Sequence, residues 1–285
     1  MNETTRTYDV VVIGAGPVGE NVAERARAAG LSTVIVEREL IGGECSFWAC
    51  DPSKALLRPV VARADARRVP GLGQAVAGPL DVEAVLAHRD KMSSYWKDED
   101  QVDWLNSVSV DLIRGHGRLT GPKQVAVQTP DGETIALTAR HAVAVSTGTR
   151  AALPPIPGID TVRPWTSREA TSADKVPGRL AVVGGGVVAV EMATAYAALG
   201  SKVTVIARSG LLGGHHGPIA VVSGSRTYDA SRCGAWVRTA ASTCLLEGLT
   251  MEWPATDTVG TVSFPSATER TNAAASGSRQ MFTSV

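Results

Sequence analysis

A glycine-rich turn entered from an apolar run constrains this chain more than any other feature, because it occurs twice. Residues 8–13 read as a buried strand entering Gly14-Ala15-Gly16-Pro17-Val18-Gly19. Residues 20–29 then read as a helix ended by Gly30, and residues 32–36 as a second strand leading to Glu37. In such a turn the first glycine allows the tight bend, the second lets backbone approach a pyrophosphate, and the third lets helix and strand pack closely. The helix N-terminus offers unpaired N–H groups and the positive end of its dipole to the phosphates. Glu37, 23 positions beyond Gly14, stands where an acid accepts hydrogen bonds from a ribose.

The second occurrence starts with a strand at residues 180–183, and Gly184-Gly185-Gly186-Val187-Val188-Ala189 is the turn, with alanine in the permitted last place. Residues 191–199 read as its helix, Gly200 ends it, and residues 202–206 form the next strand. Position 23 beyond Gly184 is Ala207, followed by Arg208. With no carboxylate there to repel a 2′-phosphate and an arginine beside it, this site leans toward NADP over NAD. The pattern predicts an α/β chain with two Rossmann-like, doubly wound dinucleotide-binding domains, the second incomplete. Two dinucleotides in one chain point to electron transfer between a flavin and a nicotinamide.

The 285 residues leave room for about two domains. Lysine plus arginine (28) balances aspartate plus glutamate (28), so no net field attracts nucleic acid or an anionic membrane. The longest apolar stretch, residues 180–190, carries three glycines and falls short of the roughly 20 residues of a membrane span. The start shows no small-residue cleavage site, and a cytoplasmic protein is expected. Beyond Leu212 the character changes: all six lysines precede it, and residues 213–285 hold 10 charged residues with no sustained period of 2 or 3.6. That stretch reads as an unassigned tail, disordered or translated in a shifted frame. His215, His216, Cys233 and Cys244 are incidental to it.

Between the two turns lies Gly42-Gly43-Glu44-Cys45-Ser46-Phe47-Trp48-Ala49-Cys50-Asp51-Pro52-Ser53-Lys54. On a regular helix cysteines five apart have α-carbons beyond the ~7 Å limit of a bridge, so bridging needs an irregular turn, which the flanking glycines and proline permit. A thiolate at a helix N-terminus is stabilised by the dipole and is reactive near neutral pH. Buried unreactive cysteines or half of a zinc site are the other readings. Zinc would need two more ligands, and the histidines at 88, 116, 141, 215 and 216 show no metal-like spacing to the pair, so no metal is expected.

Together the first turn, the G-G-x-C-x4-C-x-P-S-K segment and the second turn resemble the FAD-dependent pyridine nucleotide-disulfide oxidoreductases, the class of dihydrolipoamide dehydrogenase, glutathione and mycothione reductases and mercuric reductase. The resemblance covers about residues 7–212. Residues 143–149, with Gly148, resemble the turn where this family's chain leaves the flavin domain, and residues 154–157 its linker onward. It implies an FAD-binding domain at 1–150, the start of an NAD(P)-binding domain at 151–212, and a tail at 213–285. It further implies FAD on Gly14, Gly16, Gly19, Glu37 and Gly148, and NAD(P) on Gly184, Gly186, Ala189 and Arg208. Cys50 would be the charge-transfer thiol against the flavin and Cys45 the outer thiol that exchanges with substrate. Lys54 would lie near the flavin and pair with Glu191. Electrons would pass from NAD(P)H through FAD and the Cys45/Cys50 disulfide to an external disulfide, or in reverse from a dithiol.

Three departures from the family pattern stand out. The spacer 46–49 is more aromatic than usual. Asp51 replaces an apolar residue, and a carboxylate beside Cys50 raises that thiol's pKa by like-charge repulsion. The family's return segment, with its Gly-Asp motif, and its dimerisation domain, with a His-Glu pair acting across a homodimer, find no match in 213–285. A truncated or frame-shifted flavoenzyme with weak FAD retention is therefore expected. The alternatives are a non-enzymatic nucleotide-binding or thiol redox-sensing fragment, and a two-dinucleotide monooxygenase that would not need the cysteine pair.

Overall fold

The computed structural model describes residues 4–207, 211–212, 226–229 and 279–283. Arg208, His215, His216, Cys233 and Cys244 lie outside the described residues.

The chain runs β1 (Thr4–Ile13), α1 (Pro17–Ala28), β2 (Thr33–Glu37), α2 (Gly43–Phe47), α3 (Cys50–Arg68), α4 (Val82–Met92), α5 (Glu99–Ser107), β3 (Asp111–Arg114), β4 (His116–Gly121), β5 (Gln124–Gln128) and β6 (Thr134–Val145). It continues through α6 (Ser167–Ser172), β7 (Arg179–Val183), α7 (Val187–Ala198), β8 (Lys202–Ala207), β9 (Arg226–Asp229) and β10 (Arg279–Thr283). Two compact units result: Met1–Asp51 with Lys91–Arg150, and Pro52–Asp90 with Ala151–Val285. The stretch 52–90 thus groups with the second unit, whereas the sequence placed it in a first domain at 1–150. The reason is packing: Leu56 and Leu57 of α3 and Val85 of α4 share a core with α7.

In the first unit a six-stranded sheet has the order β3-β2-β1-β6-β5-β4. β1, β2, β3 and β6 are parallel, while β5 and β4 add an antiparallel meander. Alternation along β1 sends Val10 and Val12 to one face and Val11 and Ile13 to the other, and each face has its own cluster. Burial on both faces is what a near-continuous apolar strand requires, and Thr33–Val36 of β2 is buried at every position. Asp9 fastens three strands: its carboxylate accepts from the Ser32 hydroxyl (2.7 Å) and N–H (2.8 Å) and from Arg140 (3.0 Å).

In the second unit a four-stranded sheet has the order β10-β7-β8-β9, with β8 and β9 antiparallel and the other neighbours parallel. Leu180 and Val182 of β7, Val203 and Val205 of β8, and Ala189, Met192, Ala193 and Tyr196 of α7 form its core. α7 is apolar almost all round, as a helix covered by neighbours must be. Its Tyr196 hydroxyl donates to Ala170 O of α6 (2.7 Å), and burial pushes that phenol up to about 12. Arg89 of α4, 1% exposed, donates to Thr171 O and Ala173 O, so the carbonyls that end α6 are satisfied.

Candidate functional site

The three glycines of the first turn have three different surroundings. Gly14 has φ +100°, and its N–H donates to Val36 O at 2.9 Å, which pins the bend to β2. A Cβ there would stand 2.3 Å from Ser146 O. At Gly19 a Cβ would stand 1.9 Å from Gly14 O, so this glycine lets α1 close on the turn. Gly16 is different: it caps α1 with extended backbone, no side chain caps the helix, and a Cβ would meet nothing within 4 Å. An uncapped helix N-terminus facing open space across a bare glycine is the arrangement a pyrophosphate needs. These residues fit a dinucleotide.

Glu37 has more than one task. Its Oε2 accepts from Ala15 N–H at 2.8 Å and its Oε1 from Arg38 and Glu39 N–H, both at 2.8 Å. The carboxylate thus ties the end of β2 to the glycine turn, and with about four lone-pair sites it retains capacity for a ribose hydroxyl. Gly148, at φ +64° with open space around its α-carbon, follows β6, and Ser146 N–H donates to Ile13 O at 2.8 Å.

The second turn repeats the first in detail. Gly184 has φ +127° and donates to Ile206 O at 2.9 Å, the counterpart of Gly14 on Val36 O. Gly186 caps α7 with φ −76° and ψ −178°, against −74° and 178° at Gly16, again with no side-chain cap. Ala189 is fully buried beneath this end of the helix. Val18 and Val187 are exposed by 68% and 54% in the first turns of the two helices, apolar surface beside each open cap.

The cysteine segment sits on the first turn. Gly42 N–H donates to Ala15 O at 2.7 Å, and a Cβ on Gly43 would come within 3.0 Å of Gly16 Cα. Both glycines have positive φ, so they start α2 close against the turn at an angle other residues avoid. α2 lasts five residues and breaks at Trp48 (φ −135°), and α3 starts at Cys50. This break is the irregularity the spacing demanded: Cys45 and Cys50 form a disulfide with α-carbons 4.7 Å apart. Phe47, between the two cysteines in sequence, is fully buried. Asp51 follows, and burial raises its carboxyl above the usual range.

Four residues after Cys50, Lys54 Nζ lies 2.8 and 3.0 Å from the two carboxylate oxygens of Glu191 on α7. The Glu191 side chain is 8% exposed and that of Lys54 45%, so the pair is anchored at its acid end and open at its ammonium.

Sequence reasoning missed the residues that hold the cysteine segment from a distant stretch of the chain. Asp98 Oδ2 accepts from Ile41 N–H at 2.7 Å and from Arg114 at 2.5 Å, and Arg114 also donates to Glu39 O. Trp96 Nε1 donates to Phe47 O at 3.1 Å. The bonds to Ile41, Phe47 and Glu39 span 49 to 75 positions in sequence, beyond any local motif. Among the described residues no group of three His, Cys, Asp or Glu side chains could hold a metal ion, and no helix is long and apolar enough to cross a membrane.

With this geometry in view, residues 8–219 match the family model described as pyridine nucleotide-disulphide oxidoreductase. The chain belongs to that family. Among curated members, it is 35% identical over 199 residues to a dihydrolipoyl dehydrogenase of Vibrio cholerae, covering 69% of this chain and 41% of that protein. A dihydrolipoyl dehydrogenase of Chlorobaculum tepidum is 38% identical, with 70% and 42% covered. A mercuric reductase of Staphylococcus aureus is 32% identical, with 71% and 36% covered. The chain therefore spans about two fifths of the length of these relatives. Among solved structures, the Cu(II) complex of the HOCl-induced flavoprotein disulfide reductase RclA from Escherichia coli shares the fold at TM-score 0.59 and 24% identity, over 72% of this chain and 42% of that one. Members of the pyridine nucleotide-disulphide oxidoreductase family are enzymes that use FAD and NAD(P)H.

Proposed function

We propose that this chain carries the nucleotide-binding and redox-active part of a flavoprotein that passes electrons between NAD(P)H and a disulfide or dithiol substrate through Cys45 and Cys50. The observation that carries the reading is a disulfide on a segment whose Gly42 and Gly43 pack against an open and uncapped glycine turn. Residues 1–150 supply the FAD turn (Gly14, Gly16, Gly19, Glu37, Gly148), and the stretch from 151 to 212 supplies the NAD(P) turn (Gly184, Gly186, Ala189). Arg208 stands outside the described residues, and its bearing on NADP against NAD is part of the proposal.

Flavin, when bound, supplies two-electron exchange between a nicotinamide and a disulfide. The chain's own residues then do the following. Gly16 and the free N–H groups of α1 hold the pyrophosphate, and Glu37 orients a ribose. Reduction breaks the Cys45–Cys50 bond and leaves two thiols. Cys45, on the short helix α2, attacks the external disulfide, breaking its S–S bond and releasing one substrate thiol. Cys50 then attacks the mixed disulfide, re-forming the Cys45–Cys50 bond and releasing the second substrate thiol. By the family resemblance Lys54 would lie near the flavin, and Glu191 holds its ammonium. A disulfide substrate, a cytoplasmic setting and a homodimeric assembly follow from the family and belong to this proposal.

The purified chain, reconstituted with FAD and treated anaerobically with NADPH or NADH, tests it. A gain of about two thiols per chain is expected only when FAD is present, and none in Cys45→Ser. A bound flavin with the disulfide left intact after NAD(P)H would refute electron transfer and favour a redox-sensing module.

A further inference from the structure

We infer that Trp96 is a positioning residue for the cysteine pair: its indole N–H holds the break between α2 and α3 and so favours the Cys45–Cys50 disulfide over the dithiol. The inference rests on the reading of that pair as redox-active.

The segment that delivers Trp96 has an unusual backbone. Ser94, Tyr95 and Trp96 have φ of 45°, 53° and 56°, three consecutive non-glycine residues in the left-handed region. L-residues avoid this conformation, and a run of it persists only where the surroundings hold it. Ser93, 1% exposed, buries the start of the turn. Trp96 N–H donates to Ser93 O at 2.8 Å and Lys97 N–H to Ser94 O at 3.0 Å, closing it. The result is to aim the indole N–H at Phe47 O, 3.1 Å away.

That oxygen matters because of where it lies. Phe47 is the last residue of α2 and stands between the two cysteines. Terminal carbonyls of a helix lack intrahelical partners, and continuing the helix is the ordinary way to satisfy them. Here the partner comes from 49 positions away, and the helix stops. A continuous helix through 45–50 would hold the α-carbons beyond ~7 Å, too far for a bridge, whereas the break brings them to 4.7 Å. The disulfide requires the break and the dithiol does not, so a bond that stabilises the break stabilises the oxidised form selectively. Two residues on, Asp98 accepts from Ile41 N–H, so the same loop grips the cysteine segment ahead of α2 as well.

The test is the equilibrium of the full chain with glutathione, in which two glutathione thiols reduce the Cys45–Cys50 bond and leave as one glutathione disulfide. Alkylation and mass measurement at a series of glutathione ratios read the position. Trp96→Phe keeps the ring and deletes the donor, and it is expected to shift the equilibrium constant about three- to tenfold toward the dithiol, the range of one hydrogen bond. Tyr95→Phe, altering a side chain on an exposed residue of the same turn, is expected to leave it unchanged. A Trp96→Phe constant within about twofold of the parent overturns the inference. If Trp96→Phe does not fold, the parent protein still decides: the Trp96 indole N–H must exchange with solvent faster after reduction, and equal exchange in both states overturns the inference. A pair that glutathione and dithiothreitol cannot reduce in the folded chain sinks the redox reading itself, a separate failure.

Discussion

A methyl group added at Gly16 meets nothing, whereas one added at Gly14 or Gly19 runs into backbone at 2.3 or 1.9 Å. Three residues of one type in one turn are therefore separable by experiment. Gly16→Ala, at an ordinary φ of −74°, is expected to keep the melting temperature of the apoprotein and weaken FAD binding by about tenfold or more, read by flavin fluorescence titration. Gly14→Ala is expected to cost at least about 3 kcal/mol in urea unfolding, since it adds strain at φ +100° to the clash with Ser146 O. An equal effect of both on stability would remove the argument that Gly16 is there for a ligand. The tight bend at Gly14 and the close helix approach at Gly19 were legible in the sequence because each is local, a turn and the helix it opens. The Lys54–Glu191 pair was legible only through the family, since 137 positions separate the partners. Trp96, Asp98 and Arg114 were not legible, because a side chain that satisfies a distant main-chain group leaves no spacing or composition signal.

At the scale of elements, both glycine turns place their helices earlier than the apolar periodicity suggests. α1 starts at Pro17 and α7 at Val187, where residues 20 and 191 were expected to open them. The glycine turn and the helix overlap: Pro17-Val18-Gly19 and Val187-Val188-Ala189 belong to both, so reading the turn as a loop starts each helix several residues late. The proline at the first position of α1 costs nothing, because its missing N–H has no partner in any helix. β1 likewise runs from Thr4, beyond the apolar run, because its polar start pairs with β6. Asp9 locks that stretch, and its bonds to the Ser32 hydroxyl and N–H, then to Arg140, hold its carboxyl down at about 2. A carboxyl lowered on folding adds stability above its unfolded value near 3.8, and that stability is lost as pH falls toward 2. Asp9→Asn is therefore expected to be less stable than the parent at pH 6, with the gap in urea midpoint closing between about pH 4 and pH 2. A gap that does not change with pH would mean that Asp9 acts by shape alone.

For the whole molecule, the two sheets repeat one design, a parallel strand pair with a glycine-capped helix between, in two separate compact units. That duplication was visible in the sequence as two turns followed by matching strands. Residues 52–90 carry no nucleotide motif, and their Leu56, Leu57 and Val85 share a core with α7. If each turn serves its own nucleotide, ligand stabilisation must divide the same way. A ligand at one hundred times its dissociation constant stabilises the unit it binds by about 2.7 kcal/mol. FAD is expected to slow amide exchange in 4–51 and 91–150, and NADPH or NADH to slow it in 179–207, each with less effect on the other stretch. Peptides from α4, 82–90, should respond with the nicotinamide because Val85 shares its unit's core, whereas the start of α3 carries Lys54, proposed near the flavin. Protection of 82–90 by FAD alone would assign α4 to the flavin site and return the first boundary to residue 150.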